Sequence, residues 1–268
     1  MTAVESIGTD KVLARIEDGI GWLVFNNPGK HNAMGLEMSN GATRVLQAFA
    51  ADENVRVVVM TGAGDKAFVS GADISEFEQN RANAAQAEKY EQNTGGVHRA
   101  VRTMPKPTIA MIRGYCMGGG LALAAACDLR FCSEDALFAI PAARLSIAYR
   151  LDFLRWVVEL VGPSNTKDIL YSARRLKAPE ALSVGLVNRV VPAAELEPMV
   201  REYAGTLVNN APLSIRATKL AIEELMKDAS VRDNELCARV SAECFDSEDF
   251  KEGRRAFMEK RQPVWKGR

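Results

Sequence analysis

The chain is expected to fold as α/β with a largely parallel sheet, and three observations lead there. Val55 to Thr61 (VRVVVMT) is a near-continuous β-branched run, as in strands covered on both faces. Thr108 to Ile112 is a second apolar run of strand length. Both lead through glycine-bearing turns toward stretches of helix formers, and such alternation marks a parallel sheet wrapped by helices.

Taken in order, Val12 to Ile16 and Gly21 to Phe25 read as short strands joined by a turn at Asp18-Gly19. Asn26-Asn27-Pro28-Gly29 is a turn cluster. Gly35 to Ala50 spaces Leu36, Met38, Val45, Leu46 and Phe49 as one face of a helix. The Val55 strand follows. Glu76 to Val101, polar and rich in Ala, Gln and Glu, reads as helical. After the Thr108 strand, Leu121 to Ala126 is a run of strong helix formers. Asp128 to Cys132 and Leu137 to Ile140 read as strands around a turn at Ser133-Glu134-Asp135. Leu151 to Val161 and Ser164 to Ser172 are helices split by Gly162-Pro163. Pro179 to Val184 is a short helix before a strand from Leu186 to Val191.

Beyond that strand only helix signals remain, over 194–209, 212–227, 231–246 and 248–260. Pro212 stands in a first turn, where its missing N–H has no helical role, and Asp246 and Ser247 are placed to cap the last helix. The reading is therefore a core over 1–192 and a helical C-terminal region over 193–268.

Composition excludes several function classes. Lys plus Arg equals Asp plus Glu at 34 each, so no global basic field invites nucleic acid. The five cysteines show no CxxC or metal spacing and read as reduced core thiols, and no metal site is expected. No apolar stretch is long enough to span a membrane, and Met1 to Glu5 does not begin a secretory signal. A cytoplasmic setting without membrane attachment is the expectation.

The chemistry lies in two glycine segments. Gly118-Gly119-Gly120 precedes the helix-forming run, so backbone N–H groups are exposed at a positive helix end. Such a site can hold a phosphate or a developing oxyanion. The second segment, after the Val55 strand, runs AFVSGADISEF over 67–77, and each could present one N–H to a shared carbonyl. These stretches, AFVSGADISEF and GYCMGGGLALAAACD, resemble the two signature segments of the crotonase superfamily, which includes the enoyl-CoA hydratases and isomerases. NNPGKHNAM near the start and DSEDFKEGRRAFMEKRQPVW at the end resemble the same family.

The resemblance covers nearly the whole chain. It implies a crotonase-like spiral core of repeated ββα turns with a C-terminal helical region that drives trimer or dimer-of-trimers assembly, although no repeat is obvious in the sequence. It also implies an acyl-CoA substrate and no separate cofactor, since coenzyme A is part of the substrate. The thioester carbonyl would lie between the N–H groups of Ala72 and Gly119. Lys30, Ala33, Ser70, Asp73 and Ile74 would contact the substrate, with Phe257 and Lys260 from the last helix, often of a neighbouring subunit.

The chain departs from the family where protons move. Typical hydratases carry glutamates at the positions held here by Ala122 and Ala142, and alanine transfers no proton. The loop from Pro141 to Asp152 lies where the second catalytic residue is expected and gathers Arg144, Tyr149, Arg150 and Asp152. It partly resembles the corresponding loop of methylmalonyl-CoA decarboxylase, a crotonase relative with a tyrosine where Tyr149 falls. That relative keeps the first glutamate and has a histidine at the Ala72 position. Tyr149 and Asp152 are thus the candidates for the reacting centre. Arg144 or Arg150 could meet a substrate carboxylate. Of the two histidines, His31 belongs to the turn that the family sets near the CoA phosphates, and His98 sits on a helical segment from which it could line the acyl pocket. Three readings stay open: an enolate-stabilising enzyme of the hydratase/isomerase type, a decarboxylase of a malonyl-type CoA, and a non-catalytic acyl-CoA-binding oligomer. RNA binding, known for one branch of the superfamily, finds no lysine-rich stripe here.

Overall fold

The computed structural model describes residues 2–3, 8–76 and 83–268. Two sheets carry the architecture. The first has seven strands, β1 (Thr2–Ala3), β2 (Val12–Glu17), β3 (Ile20–Phe25), β4 (Val57–Gly62), β6 (Thr108–Ile112), β8 (Leu129–Ser133) and β11 (Arg189–Val191), in the order β1-β2-β3-β4-β6-β8-β11. From β3 to β11 every pairing is parallel. The second has four strands, β5 (Ala67–Val69), β7 (Tyr115–Met117), β9 (Leu137–Ala139) and β10 (Leu176–Lys177), in the order β10-β9-β7-β5. There β5, β7 and β9 run parallel, and β10 closes the edge antiparallel to β9.

Chain order and sheet order together reveal a repeat. A strand of the first sheet, a strand of the second and a helix recur three times: β4, β5, α2 (Ala84–Arg102); β6, β7, α3 (Gly119–Ala126); β8, β9, α4 (Leu151–Ser172). The spiral of ββα turns expected from the resemblance is therefore present. The strands around Ser133-Glu134-Asp135 do not pair as a hairpin; β8 and β9 belong to different sheets.

The β-branched run forms β4 because its two faces meet two cores. Val58 and Met60 join the larger core with α1 (Leu36–Ala51), while Val57 and Val59 face α6 (Ala193–Val208) through Leu196, Val200 and Ala204. α4 is broken at Gly162, whose backbone is non-helical (φ 75°, ψ 167°) ahead of Pro163, as the sequence pattern requires. The helix expected from Glu76 is described from Ala84 onward, and 77–82 fall outside the described residues. The strand expected over Leu186 to Val191 shrinks to β11, because Leu186 and Val187 turn back and donate to Ala181 O at the end of α5 (Ala178–Ser183).

The C-terminal helices are α7 (Pro212–Leu225), α8 (Asn234–Asp246) and α9 (Glu248–Glu259). Pro212 is in the first turn of α7. Ser247 alone caps α9, its Oγ accepting from Phe250 N at 3.0 Å, a contact worth about 1 kcal/mol. Asp246 is instead the last residue of α8. All five cysteines are free; burial pushes the Cys127 and Cys132 thiols up to about 12, so they stay protonated. No helix among the described residues is long and apolar enough to cross a membrane.

Candidate active site

The C-terminal ends of β5, β7 and β9, three adjacent parallel strands, open onto one cavity of about 230 Å³. Ala72, Gly119, Ala122, Ala142, Tyr149 and Asp152 all line it. Its walls are otherwise mainly apolar, with Phe153 and Trp156 from α4, Leu145 and Ile147 from the loop, and Met34 before α1.

Two backbone N–H groups owe their direction to peptide geometry. Met34 N donates to Gly71 O at 2.8 Å and Asp73 N to Met34 O at 3.0 Å, which makes an isolated parallel bridge between Met34 and Ala72. In a trans peptide the N–H points opposite to the C=O, so Ala72 N–H points away from Met34. The end of β7 approaches this segment closely: a Cβ on Gly71 would lie 3.4 Å from Met117 O. At the helix start, Gly118 O accepts from Ala122 N at 3.1 Å. The N–H of the same peptide, that of Gly119, therefore points out of the helix.

Glycines make this approach possible. Gly118 holds φ 51°, a conformation that side chains resist, and its N–H donates to Ala139 O at 2.8 Å. A Cβ on Gly120 would stand 2.1 Å from Val69 O, inside the backbone of β5. At Gly119 nothing lies within 4 Å of that position. The far end of α3 is held by Arg130, buried at 2% exposure, which donates to Cys127 O at 2.7 Å and Leu186 O at 2.9 Å and reaches Ala124 O at 3.4 Å.

The side chains fall into place unevenly. Ala122 and Ala142 are each 5% exposed and line the cavity, so both positions present methyl groups to it. Tyr149 packs its ring 4.3 Å from that of Phe153, and its hydroxyl lies 3.4 Å from where a Gly118 Cβ would be, beside the helix start. Asp152 is in the first turn of α4 without capping it, and pairs with Arg150 at 3.5 Å. Arg150 and Arg99 also line the cavity; Arg144 does not. His98 is more deeply involved than a helical position announces. Its Nε2 is 3.2 Å from Gly119 O and its ring stacks on Trp156. That contact joins residues 21 apart and left no sequence signal.

The remaining candidates split. Ser70 and Ile74 line the cavity, while Lys30, Ala33 and Asp73 do not. Lys30 Nζ bonds Asp73 Oδ2 at 2.8 Å and Ser75 Oγ at 3.1 Å, linking the first segment to the second. Burial pushes the Asp73 carboxyl up, but hydrogen bonds from Lys30 and Ser75 outweigh it and hold it below the usual range. Asn32, 1% exposed, fixes the same turn by donating to Ala63 O and Ala67 O and accepting from Asn27 N. His31 packs edge-on against Tyr115. Phe257 and Lys260 stay clear of this chain's cavity, and Phe257 is 82% exposed. No cluster of three or more His, Cys, Asp or Glu suited to a metal exists among the described residues.

Comparison with known proteins places the chain in a family. The chain is 35% identical over 253 residues to crotonyl-CoA hydratase of Syntrophomonas wolfei, covering 94% of this chain and 96% of the relative. It is 35% identical over 255 residues to carnitinyl-CoA dehydratase of Proteus mirabilis, covering 92% and 94%. Among solved structures, an enoyl-CoA hydratase/carnitine racemase from Magnetospirillum magneticum superposes with TM-score 0.91 at 35% identity, covering 97% of each chain. The enoyl-CoA hydratase of Bacillus anthracis gives 0.90 at 30% identity, covering 97% of this chain and 100% of the other. The family model for enoyl-CoA hydratase/isomerase matches residues 15–268, and on all these grounds the chain belongs to that family, within the crotonase superfamily.

Proposed function

We propose that the protein is an enzyme acting on an acyl-CoA thioester, whose carbonyl oxygen accepts hydrogen bonds from Ala72 N–H and Gly119 N–H while an enolate forms. The observation that carries the reading is that both N–H groups turn away from anchored carbonyls on residues that line one cavity. Similarity to a crotonyl-CoA hydratase and a carnitinyl-CoA dehydratase supports a CoA thioester as substrate. Two N–H dipoles in a largely apolar cavity stabilise negative charge well, because little water competes for it.

Proton transfer is assigned differently from an ordinary hydratase. With methyl groups at Ala122 and Ala142, no carboxylate is available there to activate water or protonate the α carbon. Tyr149 is the proton donor in this reading. A phenol titrating near about 10 is a poor base at neutral pH but a competent donor to an enolate. Asp152 orients it or a water. Syn-hydration is therefore slow.

Decarboxylation of a malonyl-type CoA is the second reading, favoured by Arg99 and Arg150 at the cavity beside the two alanines. The bond from the α carbon to the carboxylate breaks and carbon dioxide leaves. The electron pair enters the enolate, and Tyr149 protonates the α carbon before regaining its proton from solvent. A non-catalytic acyl-CoA-binding oligomer would use the same cavity without turnover.

One experiment separates these. The pure protein is incubated with enoyl-, malonyl- and 3-hydroxyacyl-CoAs, and the products are weighed by mass spectrometry. Loss of carbon dioxide from a malonyl thioester supports the second reading, and interconversion of enoyl or hydroxyacyl thioesters the first. Tight binding with no product from any of them overturns both.

Assembly as a homotrimer or a dimer of trimers belongs to the same proposal. Phe245, Phe257 and Met258 on α8 and α9 are 62%, 82% and 80% exposed, an apolar surface suited to a subunit contact. Such a contact would let Phe257 and Lys260 reach a neighbouring subunit's substrate. A stable monomer in sedimentation at micromolar concentration would rule this out.

A further inference from the structure

Gly118, Gly119 and Gly120 are each held by a different device. Gly118 N–H is anchored on Ala139 O at 2.8 Å, and Gly120 is wedged against Val69 O. Gly119 lies between them with open space where a side chain would be. Lacking a Cβ, glycine resists backbone rotation less than any other residue type. Its carbonyl is the atom that His98 Nε2 meets at 3.2 Å.

We propose that His98 is a positioning residue for the oxyanion site, holding the Gly119 carbonyl so that the peptide before it keeps its N–H aimed into the cavity. The proposal rests on the oxyanion reading above. A carbonyl only accepts, so Nε2 carries the proton and donates. The bond fixes the peptide plane that follows Gly119, and Ala122 N on Gly118 O fixes the plane that precedes it. With both planes held, little rotation remains at the Gly119 Cα. Stacking on Trp156, at 6.4 Å between centroids and 17° between planes, sets the ring's own orientation. His98 thus acts on the thioester through Gly119 and need not touch the reacting atoms.

Two variants separate the donor from the ring. His98→Phe keeps a flat ring against Trp156 and removes the donor; His98→Gln keeps an N–H donor and removes the ring. The probe is 2,4-hexadienoyl-CoA, whose conjugated thioester absorbs at longer wavelength when its carbonyl oxygen accepts strong hydrogen bonds. The expected result is a red shift on binding to wild type, most of it lost in His98→Phe at a Kd within about threefold of wild type, and most of it retained in His98→Gln. A full shift in His98→Phe overturns the proposal and leaves the oxyanion reading standing. A bound probe with no shift in wild type overturns the oxyanion reading and the proposal with it. Nitrogen-15 NMR of wild type needs no variant: the neutral ring must be the Nε2–H tautomer, and finding the Nδ1–H tautomer sinks the proposal.

Discussion

Two kinds of group line the cavity: backbone N–H groups and side chains. The Ala72 and Gly119 N–H groups are fixed by hydrogen bonds between peptides and by glycines whose Cβ would enter a neighbouring backbone, as at Gly120. No side-chain substitution at Ala72 would delete its N–H, short of proline. The side-chain character of the cavity is set by whatever residues occupy 122, 142, 149 and 152, and here two of the four are alanine. One scaffold can thus keep its way of stabilising charge while its way of moving protons changes.

The sharpest way to break this comparison is Gly119→Pro. Gly119 is the first residue of α3, where proline is tolerated, and the ring has room. The variant should fold, keep binding free CoA, and lose about 10²–10³-fold in turnover with the one donor. Unchanged turnover in steady-state assays would mean that the backbone pair is not catalytic. Tyr149→Phe tests the side chains. If the phenol gives the proton, kcat falls by about 10²-fold with substrate affinity little changed, read by steady-state and binding measurements in parallel.

Ala122→Glu with Ala142→Glu runs the comparison in reverse. Wild type should hydrate crotonyl-CoA slowly, and the double variant should gain about tenfold or more in the rate at which enoyl absorbance disappears. Wild-type hydration at about 1–10³ s⁻¹ would instead show that another group supplies the acid and base. The smallest effect is expected far from the cavity, at Glu252 on α9. Hydrogen bonds from Arg261, Arg255 and Val264 N hold its carboxyl far below the usual range. A depressed folded pKa stabilises the fold above the unfolded value of about 4.3, and that stability fades as pH falls below it. Glu252→Gln should lower the Tm slightly at pH 7, with the gap closing below about pH 4 and the turnover of the assembled enzyme unchanged.

What the sequence revealed divides along similar lines. β4, β6 and α1 were legible because their patterns are long enough to carry a period. Three of the four second-sheet strands were not: β5, β7 and β10 span three, three and two residues, and tertiary pairing alone makes them strands. Hence the ββα repeat was invisible until strand order was known. A segment resemblance singles out Ala72 and Gly119, the position of a loop singles out Tyr149 and Asp152, and all four line one cavity. His98 lines the cavity, as its helical position suggests, but its contact with Gly119 O is not legible because the partner is a backbone oxygen in another element. Leu186 and Val187 misled in the other direction, being apolar for burial and not for pairing.

Arg130 has a consequence for the electrical character of the cavity. α3 is only eight residues long, so its two poles lie about 12 Å apart, and in a short dipole the far pole cancels part of the near pole's field. The buried guanidinium sits on the carbonyls of the far end and neutralises that negative pole. A ligand held at Gly119 as proposed would then feel less of the opposing pole, so two turns of helix would act with the reach of a longer one.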